Sequence, residues 1–142
     1  MVFEFRLKRR VQFYETDAAG IVHFSNYFRY MEEAEHALWR SAGLTISVRG
    51  AEIGWPRVNV SFEYARPLRF EDDFEVHIRI VEIGEKKIRY KCSILLDDVP
   101  VATGTMTIVC VAKRPNEPMK SIPIPAEIVS RLRVAPEGGQ AS

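Results

Sequence analysis

One segment of the chain places apolar side chains three and four residues apart, which is the spacing of a single helix face. The pattern predicts a helix over residues 26–42. Ser25 precedes this segment, and its hydroxyl can accept a hydrogen bond from an early helical N–H group. Gly43 follows it and can adopt the left-handed conformation that ends many helices. The apolar stripe consists of Tyr27, Tyr30, Met31, Ala34 and Leu38.

Most of the remaining chain alternates apolar with polar residues, a pattern that predicts strands with one buried face. A first alternating run covers residues 3–7 and resumes at Val11 after an irregular basic stretch. Residues 44–56 are interrupted by glycine and proline and predict an irregular connection. Residues 125–132 open with proline and predict a short helix. The four later strands are predicted at residues 58–64, 74–80, 88–96 and 102–110.

The order of these elements, a strand, a long helix and then four strands, predicts an α+β protein. Strands with one apolar face are typical of an antiparallel sheet covered on one side, and only one helix is long enough to cover it. An antiparallel five-stranded sheet wrapped around one long central helix is the hotdog fold. We expect a single domain over residues 1–135, followed by a frayed tail at residues 136–142.

Composition narrows the class of protein. The 142 residues are 46% hydrophobic and 27% charged, which is typical of a globular domain. The net charge of +1 favours neither nucleic acid nor an anionic membrane as a partner. Cys92 and Cys110 lie in predicted strands without metal-type spacing, so we interpret them as buried thiols. No secretion-type apolar block and no apolar run of roughly 20 residues is visible, so we expect no membrane span and a cytoplasmic location.

The chemistry that the sequence offers lies directly before the long helix. Asp17 falls in a loop, and Gly20 allows a tight turn or a close backbone approach. The start of a helix supplies unpaired N–H groups and the positive end of the helix dipole. A carboxylate beside such donors meets two requirements of thioester hydrolysis, an attacking or water-activating group and donors for the carbonyl oxygen. An aspartate before a helix is nevertheless more often a cap or turn residue, so spacing alone leaves both interpretations open.

The residues around Asp17 resemble the motif of the 4-hydroxybenzoyl-CoA thioesterase family of hotdog enzymes. That motif is an aspartate, two residues, a glycine, two apolar residues, two aromatic or histidine residues and an Asn-Tyr pair that opens the helix. Residues 62–73 resemble the family's second strand and the turn after it, and the resemblance extends over residues 5–112. The matching positions are Asp17, Gly20, Ile21, Val22, His23, Phe24, Asn26 and Tyr27.

The resemblance implies a role for several residues. Asp17 is expected to be the catalytic carboxylate, acting as nucleophile or as general base. The backbone N–H of Phe24 is expected to polarise the thioester carbonyl. Lys86 and Lys87 fall where the family places basic residues near the coenzyme A phosphates. With Arg89 they form a small positive patch at a predicted hairpin, which suits a polyphosphate, although a solvated turn explains these residues equally well.

The acyl group is expected to contact Gly20, His23 and Tyr27. His23 has three open interpretations: it lines the acyl pocket, it hydrogen-bonds Asp17, or it is a structural histidine. Some branches of the family carry histidine at the position of Phe24, and this departure leaves the choice of acyl group undecided.

Other candidates and functions have weaker support. Glu32, Glu33 and Glu35 are expected on an exposed helix face, and Glu33 is retained as an alternative catalytic carboxylate because a second hotdog branch uses one there. His36 and His77 are expected to be solvated. The leading function is hydrolysis of an acyl-coenzyme A, which is the substrate, with no metal or redox cofactor. The alternatives are a dehydratase acting on 3-hydroxyacyl thioesters and a non-catalytic module that binds acyl-CoA.

Assembly follows from the predicted sheet. A single five-stranded sheet leaves open edges, which are aggregation hazards unless another chain or element covers them. The resemblance implies a homo-oligomer, either a dimer or a dimer of dimers (a homotetramer), with acyl sites between subunits. We therefore expect two-fold symmetric interfaces, with the Asp17 loop at one of them.

Overall fold

The structure is a computed structural model that describes residues 1–137. The predicted tail therefore lies mostly outside the described residues. The strands are β1 (Glu4–Arg10), β2 (Ile53–Gly54), β3 (Arg57–Tyr64), β4 (Asp73–Ile83), β5 (Lys87–Leu96), β6 (Val99–Val109), β7 (Val111–Ala112) and β8 (Lys120–Ser121). The helices are α1 (Asn26–Ser41) and α2 (Ala126–Val129), with a short 3₁₀ turn at Phe13–Glu15.

Five strands form one antiparallel sheet in the order β1-β4-β5-β6-β3. The register aligns Leu7, Val76, Ile94, Ala102 and Tyr64 in one row across the sheet. A second row, near the opposite end of the strands, contains Ile83, Ile88, Ile108 and Arg57. These two rows define the two ends of the sheet, and the residues with candidate chemistry lie at one end or the other.

Helix α1 packs against one face of this sheet and forms the core with it. Its apolar stripe is buried as the spacing predicts, and Trp39, the residue after Leu38, widens the buried face. The Trp39 indole N–H donates to the Tyr90 hydroxyl at 2.9 Å, which satisfies both polar groups inside the core. This arrangement of one long helix on a five-stranded antiparallel sheet is the hotdog fold, as the sequence pattern predicts.

The two edges of the sheet differ in how they are covered. At the β1 edge, Val2 forms a parallel bridge with Leu132, and the N–H of Arg133 donates to the Val2 carbonyl. The outer edge of β3 pairs with no other strand within residues 1–137. Helix α1 also leaves much of the apolar face of β3 uncovered. We call the exposed apolar side chains on this strand the β3 patch, which consists of Val58, Val60 and Tyr64.

Several details of the predicted elements change in the structure. Strand β1 continues to Arg10 without the expected break, and the terminal helix is limited to Ala126–Val129. A small sheet in the order β2-β7-β8 is an addition that the alternation pattern does not predict. Gly43 ends α1 with a positive φ of 76°, and both cysteines are buried free thiols, as expected.

Three predictions about polar side chains are wrong. Ser25 occupies the N-cap position, but its hydroxyl bonds His23 Nδ1 at 2.8 Å instead of a helical N–H. His77 is buried on the sheet face opposite α1, where its ring bonds the Glu4 carboxylate at 2.7 Å. Alternation alone predicts an exposed position for His77. Because β4 lies between β1 and β5, these neighbouring strands shield its side chain from solvent. The expectation of a solvated His36 holds in part, because this side chain is half exposed, and burial lowers its pKa.

Glu35 is the third of these errors, because it lies in the core instead of on an exposed helix face. Its carboxylate binds the Arg57 guanidinium at 2.5 Å, and Arg57 also donates to the Trp55 carbonyl at 3.1 Å. Burial raises the pKa of Glu35 to about 7, and this effect exceeds the opposing effect of Arg57. The protonated form of Glu35 is therefore favoured by folding.

This raised pKa predicts a pH-dependent stability. Between the unfolded value and about 7, the folded state holds the Glu35 proton more tightly, so the contribution of this group declines as pH rises. We expect Glu35→Gln to remove that decline, because the neutral amide has no charge to bury. Urea unfolding at about pH 5 and about pH 8 measures the difference between wild type and variant. If the free energy of unfolding changed between the two pH values by the same amount in Glu35→Gln as in wild type, the raised pKa of Glu35 would be contradicted.

Candidate active site

The Asp17 loop is a tight turn fixed by its own backbone. Thr16 and Val22 form an antiparallel bridge, and the Asp17 N–H donates to the Ile21 carbonyl at 2.8 Å. The Gly20 N–H closes the turn on the Asp17 carbonyl at 2.9 Å, and Gly20 has a positive φ of 80°. A residue with a side chain is strained in that conformation, which accounts for glycine at this position.

The Asp17 carboxylate is oriented by one of its two oxygens. Oδ1 accepts the Ala19 N–H at 2.8 Å and the Ile21 N–H at 3.4 Å. No donor within residues 1–137 binds Oδ2. The side chain is therefore held in place while one oxygen remains available to attack a carbonyl or to bind water.

A second polar group at this site is the backbone N–H of Phe24, directly before α1. It donates to no acceptor within the described chain, while the Phe24 carbonyl accepts from the Tyr27 N–H at 3.4 Å. The Tyr64 hydroxyl also donates to that carbonyl, at 3.0 Å, and so fixes the peptide between Phe24 and Ser25. The peptide that carries the Phe24 N–H is held through the His23 carbonyl, which accepts the Asn26 N–H at 2.9 Å. An oriented N–H group at a helix start is suited to stabilise an oxyanion.

Asp17 and Phe24 line one cavity of about 360 Å³ between the loop, α1 and the end of β3. The aromatic rings of Phe24, Tyr27 and Tyr64 form part of its wall, and Arg66 stands at its margin. Phe24 is 62% exposed, so the cavity is open on one side in the single chain. The remaining lining residues are Ile21, Val22, Ala65 and Pro67.

A larger hollow of about 740 Å³ lies where β1 meets β4. Its lining is mostly charged, and several of the charges are paired, as in the exposed contact of Arg10 with Asp73 at 2.7 Å. It contains no carboxylate beside a free helix-start N–H. We therefore assign the candidate active site to the smaller cavity, where the two groups that acyl transfer requires lie together.

The predicted acyl-binding residues have different positions. Tyr27 lines the cavity, whereas Gly20 and His23 are not among its lining residues. Gly20 serves the turn that holds Asp17. The His23 ring stacks on Phe24 at 4.5 Å and bonds Ser25, so within this chain it does not hydrogen-bond Asp17.

The predicted coenzyme A residues lie far from Asp17 in the same chain. Lys86, Lys87 and Arg89 are exposed at the β4–β5 hairpin, beside the row that contains Arg57. Asp17 lies beside the opposite row, which contains Tyr64. The seven steps between those two β3 residues span about 23 Å at about 3.3 Å per residue. Lys87 also pairs with the Glu82 carboxylate at 3.4 Å.

The alternative carboxylate Glu33 does not line the cavity. Its side chain forms an ion pair at 2.7 Å with Arg9, which lines the larger hollow. Tyr64, in contrast, is a site residue that the sequence analysis did not single out. It lies inside the second stretch of family resemblance, and its position as the last aromatic residue of the β3 alternation was the available signal.

This geometry, on a hotdog sheet, suits a thioester hydrolase, and the family match below defines the protein as a member of that class. Residues 11–132 match the family described as the thioesterase-like superfamily. The chain belongs to this superfamily. The narrower assignment to the 4-hydroxybenzoyl-CoA branch stays a prediction. Neither helix within the described residues combines the length and apolarity that a membrane crossing requires.

Similar proteins agree with this assignment. A hypothetical protein from Aquifex aeolicus has a crystal structure with a TM-score of 0.83 and 38% identity, covering 91% of this chain and 99% of that one. A 1,4-dihydroxy-2-naphthoyl-CoA hydrolase from Synechococcus elongatus is 25% identical over 92% of this chain and 96% of its own length. The structure of a gentisyl-coenzyme A thioesterase gives a TM-score of 0.79 at 28% identity, covering 87% and 98% of the two chains.

Proposed function

We propose that the protein hydrolyses an acyl-coenzyme A thioester with Asp17 as the catalytic carboxylate. One observation carries the proposal. Asp17 and Phe24 line the same cavity, and within residues 1–137 neither Oδ2 of Asp17 nor the N–H of Phe24 has a hydrogen-bond partner. A direct assay mixes the purified protein with acyl-CoA and a thiol reagent. Release of free thiol supports hydrolysis, while dehydration or binding without release supports one of the two alternative functions.

The proposed reaction adds water across the acyl–sulfur bond. Asp17 either removes a proton from the attacking water or attacks the acyl carbon itself, forming an anhydride that water then cleaves. In both routes the Phe24 N–H donates to the carbonyl oxygen while negative charge builds up on it. The carbon–sulfur bond breaks, the coenzyme A sulfur leaves as thiolate, and a proton from water neutralises it. Water balances this reaction, so no metal or redox cofactor is proposed.

The walls of the cavity support an aromatic acyl group. Phe24, Tyr27 and Tyr64 offer aromatic faces and edges to a planar ring, which favours offset and edge-to-face contacts. The names of the similar 1,4-dihydroxy-2-naphthoyl-CoA hydrolase and gentisyl-coenzyme A thioesterase point to aromatic substrates as well. A panel of aromatic, short-chain and longer aliphatic acyl-CoA substrates, compared by kcat/KM, tests this preference.

We also propose that the active site is shared between subunits of a two-fold dimer formed at the β3 edge. The free edge and the β3 patch supply unpaired backbone groups and apolar area for a second copy. Antiparallel pairing of two β3 strands brings the Tyr64 end of one chain toward the Arg57 end of the other. The partner's Lys86 and Lys87 then lie at the same end as Asp17. A further pairing of dimers would give the expected tetramer. We propose a cytoplasmic location for this assembly.

This arrangement predicts a binding role for the lysines. Changing Lys86 and Lys87 to alanine should raise KM for acyl-CoA by roughly tenfold, since two exposed charge contacts contribute about 0.7 kcal/mol each. The value of kcat should change little, because contacts remote from the reacting atoms bind substrate and transition state alike. Lys91→Ala, which removes an exposed lysine from β5, is the control. Equal losses on a truncated acyl-pantetheine would contradict the phosphate contact.

Complementation tests whether the site is shared. Asp17→Asn subunits are mixed with subunits that carry Lys86→Ala and Lys87→Ala, and activity is measured at low acyl-CoA. A shared site predicts recovered activity, because each mixed dimer contains one site with both intact halves. Activity that never exceeds the sum of the separate variants would contradict a shared site.

A further inference from the structure

Glu15 is a buried carboxylate that the proposed reaction does not use. It ends the 3₁₀ turn between β1 and the Asp17 loop, two residues before Asp17, and it is only 4% exposed. A buried carboxylate is costly unless charged or hydrogen-bonding partners surround it. Its partners therefore indicate what the fold uses it for.

The partners of the Glu15 side chain lie on β1, on the turn that leads to the Asp17 loop and on α1. Oε1 accepts from the Gln12 N–H at 2.9 Å, from Arg9 Nη1 at 2.9 Å and from the Tyr30 hydroxyl at 3.0 Å. Oε2 binds Arg9 Nη2 at 2.8 Å. Arg9 belongs to β1 and Tyr30 to α1, so this one carboxylate joins the sheet to the helix.

The backbone of Glu15 makes the second half of the connection. Its carbonyl accepts the His23 N–H at 2.9 Å and the Asn26 side-chain amide at 2.8 Å. His23 directly precedes the Phe24 N–H, and Asn26 is the first residue of α1. With the Thr16–Val22 bridge, these bonds close a ring of chain that contains Asp17. The two ends of the Asp17 loop therefore meet at Glu15.

We propose that Glu15 is a positioning residue that sets the distance between the Asp17 carboxylate and the Phe24 N–H. This inference rests on the proposed function, because it assigns Glu15 a role in that same reaction. Glu15 touches no reacting atom; it acts through the loop that it anchors. A displacement of about 1 Å at a reacting group can lower a rate by about 100-fold, so an anchor at both ends of the loop has a measurable effect.

The test compares two substitutions that each remove a carboxylate from Arg9. Glu15→Gln directs an amide N–H₂ at the Arg9 guanidinium and weakens the anchor. Glu33→Gln removes the exposed carboxylate that binds the same arginine. Glu33 contacts neither the Asp17 loop nor the cavity. We expect Glu15→Gln to lower kcat by at least about tenfold with KM nearly unchanged, and Glu33→Gln to change neither.

A second measurement is independent of catalysis. Hydrogen exchange of the backbone N–H groups of residues 16–24 should accelerate in Glu15→Gln, while the N–H groups of β4 and β5 keep the wild-type rate. Tyr30→Phe removes one donor to the carboxylate and should produce a smaller change of the same kind. It provides the test if Glu15→Gln does not fold.

The outcomes separate this inference from the proposed function. A wild type that releases no thiol from any acyl-CoA refutes the proposed function, and local acceleration of exchange would still support the anchor. If the wild type is active, wild-type kcat in Glu15→Gln overturns the inference. Equal loss of kcat in Glu15→Gln and Glu33→Gln also overturns it, because the effect would then belong to Arg9. Exchange that accelerates uniformly over the sheet overturns it as well, since the role would be one of general stability.

Discussion

We expect Asp17→Asn to lower kcat by at least about 100-fold, the lower end of what general acid–base catalysis contributes. The amide can neither attack a carbonyl nor remove a proton from water. It retains an oxygen that can accept the Ala19 N–H, as Oδ1 does now at 2.8 Å, so the loop and the fold should persist. Initial rates with acyl-CoA and a thiol reagent measure the loss, and thermal unfolding verifies that the variant is folded.

Asp72→Asn is the matched control for this substitution. Asp72 is also a half-buried loop carboxylate, and its Oδ2 accepts the Arg69 N–H at 2.8 Å. Because Asp72 does not line the cavity, its variant should keep the wild-type kcat. If Asp17→Asn kept a near-wild-type kcat, Asp17 would not be the catalytic carboxylate, and another carboxylate would have to supply that function.

The second large effect is expected at the free edge of the sheet. Val60→Asp places a charge in the middle of the β3 patch, and two-fold pairing brings that charge close to its own copy. Like charges facing each other across an interface cost several kcal/mol, so the dissociation constant of the dimer should rise at least about 100-fold. Activity should fall with it at low protein concentration, because a shared site needs both chains. Sedimentation velocity and specific activity over a dilution series measure both effects.

Val129→Asp provides the comparison. Val129 lies on α2 and is 44% exposed, against 45% for Val60, so the two substitutions introduce equal charge at equally exposed valines. We expect Val129→Asp to sediment and to react as the wild type does. A Val60→Asp protein that keeps both its assembly and its activity would contradict an interface at β3.

The architecture of this protein could be predicted because its buried residues recur with the helix period of 3.6 residues in α1 and with the strand period of two residues in the sheet. The stripe from Tyr27 to Leu38, bounded by Ser25 and Gly43, predicts a helix that ends within one residue of the observed end of α1, and alternation predicts the four later strands. These signals arise from contacts that every residue of a face makes with the same core. The small sheet of β2, β7 and β8 has strands of two residues, which are too short to show a period.

Polar side chains were less predictable, because their surroundings depend on chain segments distant in sequence. His77 occupies a position that alternation assigns to a polar face, yet it is buried against Glu4. Glu35 lies four residues after Met31, on the apolar stripe of α1, and it is buried there against Arg57. For the candidate site, the sequence indicated the Asp17 loop and the start of α1, whose catalytic roles stay predictions. It could not identify Tyr64 or Glu15, since their roles require the end of β3 and the anchor at β1 to lie beside that loop.

The pairing of β1 with β4 has a consequence for synthesis of the chain. Glu4–Arg10 leaves the ribosome before its partner Asp73–Ile83, which follows only after α1 and β3 have been made, and the bridge from Val2 to Leu132 requires a still later segment. Contacts this distant in sequence close slowly, so the nascent first strand waits unpaired. The positive charges of Arg6, Lys8 and Arg10 on this unpaired strand then disfavour its association with other nascent chains until it pairs with β4.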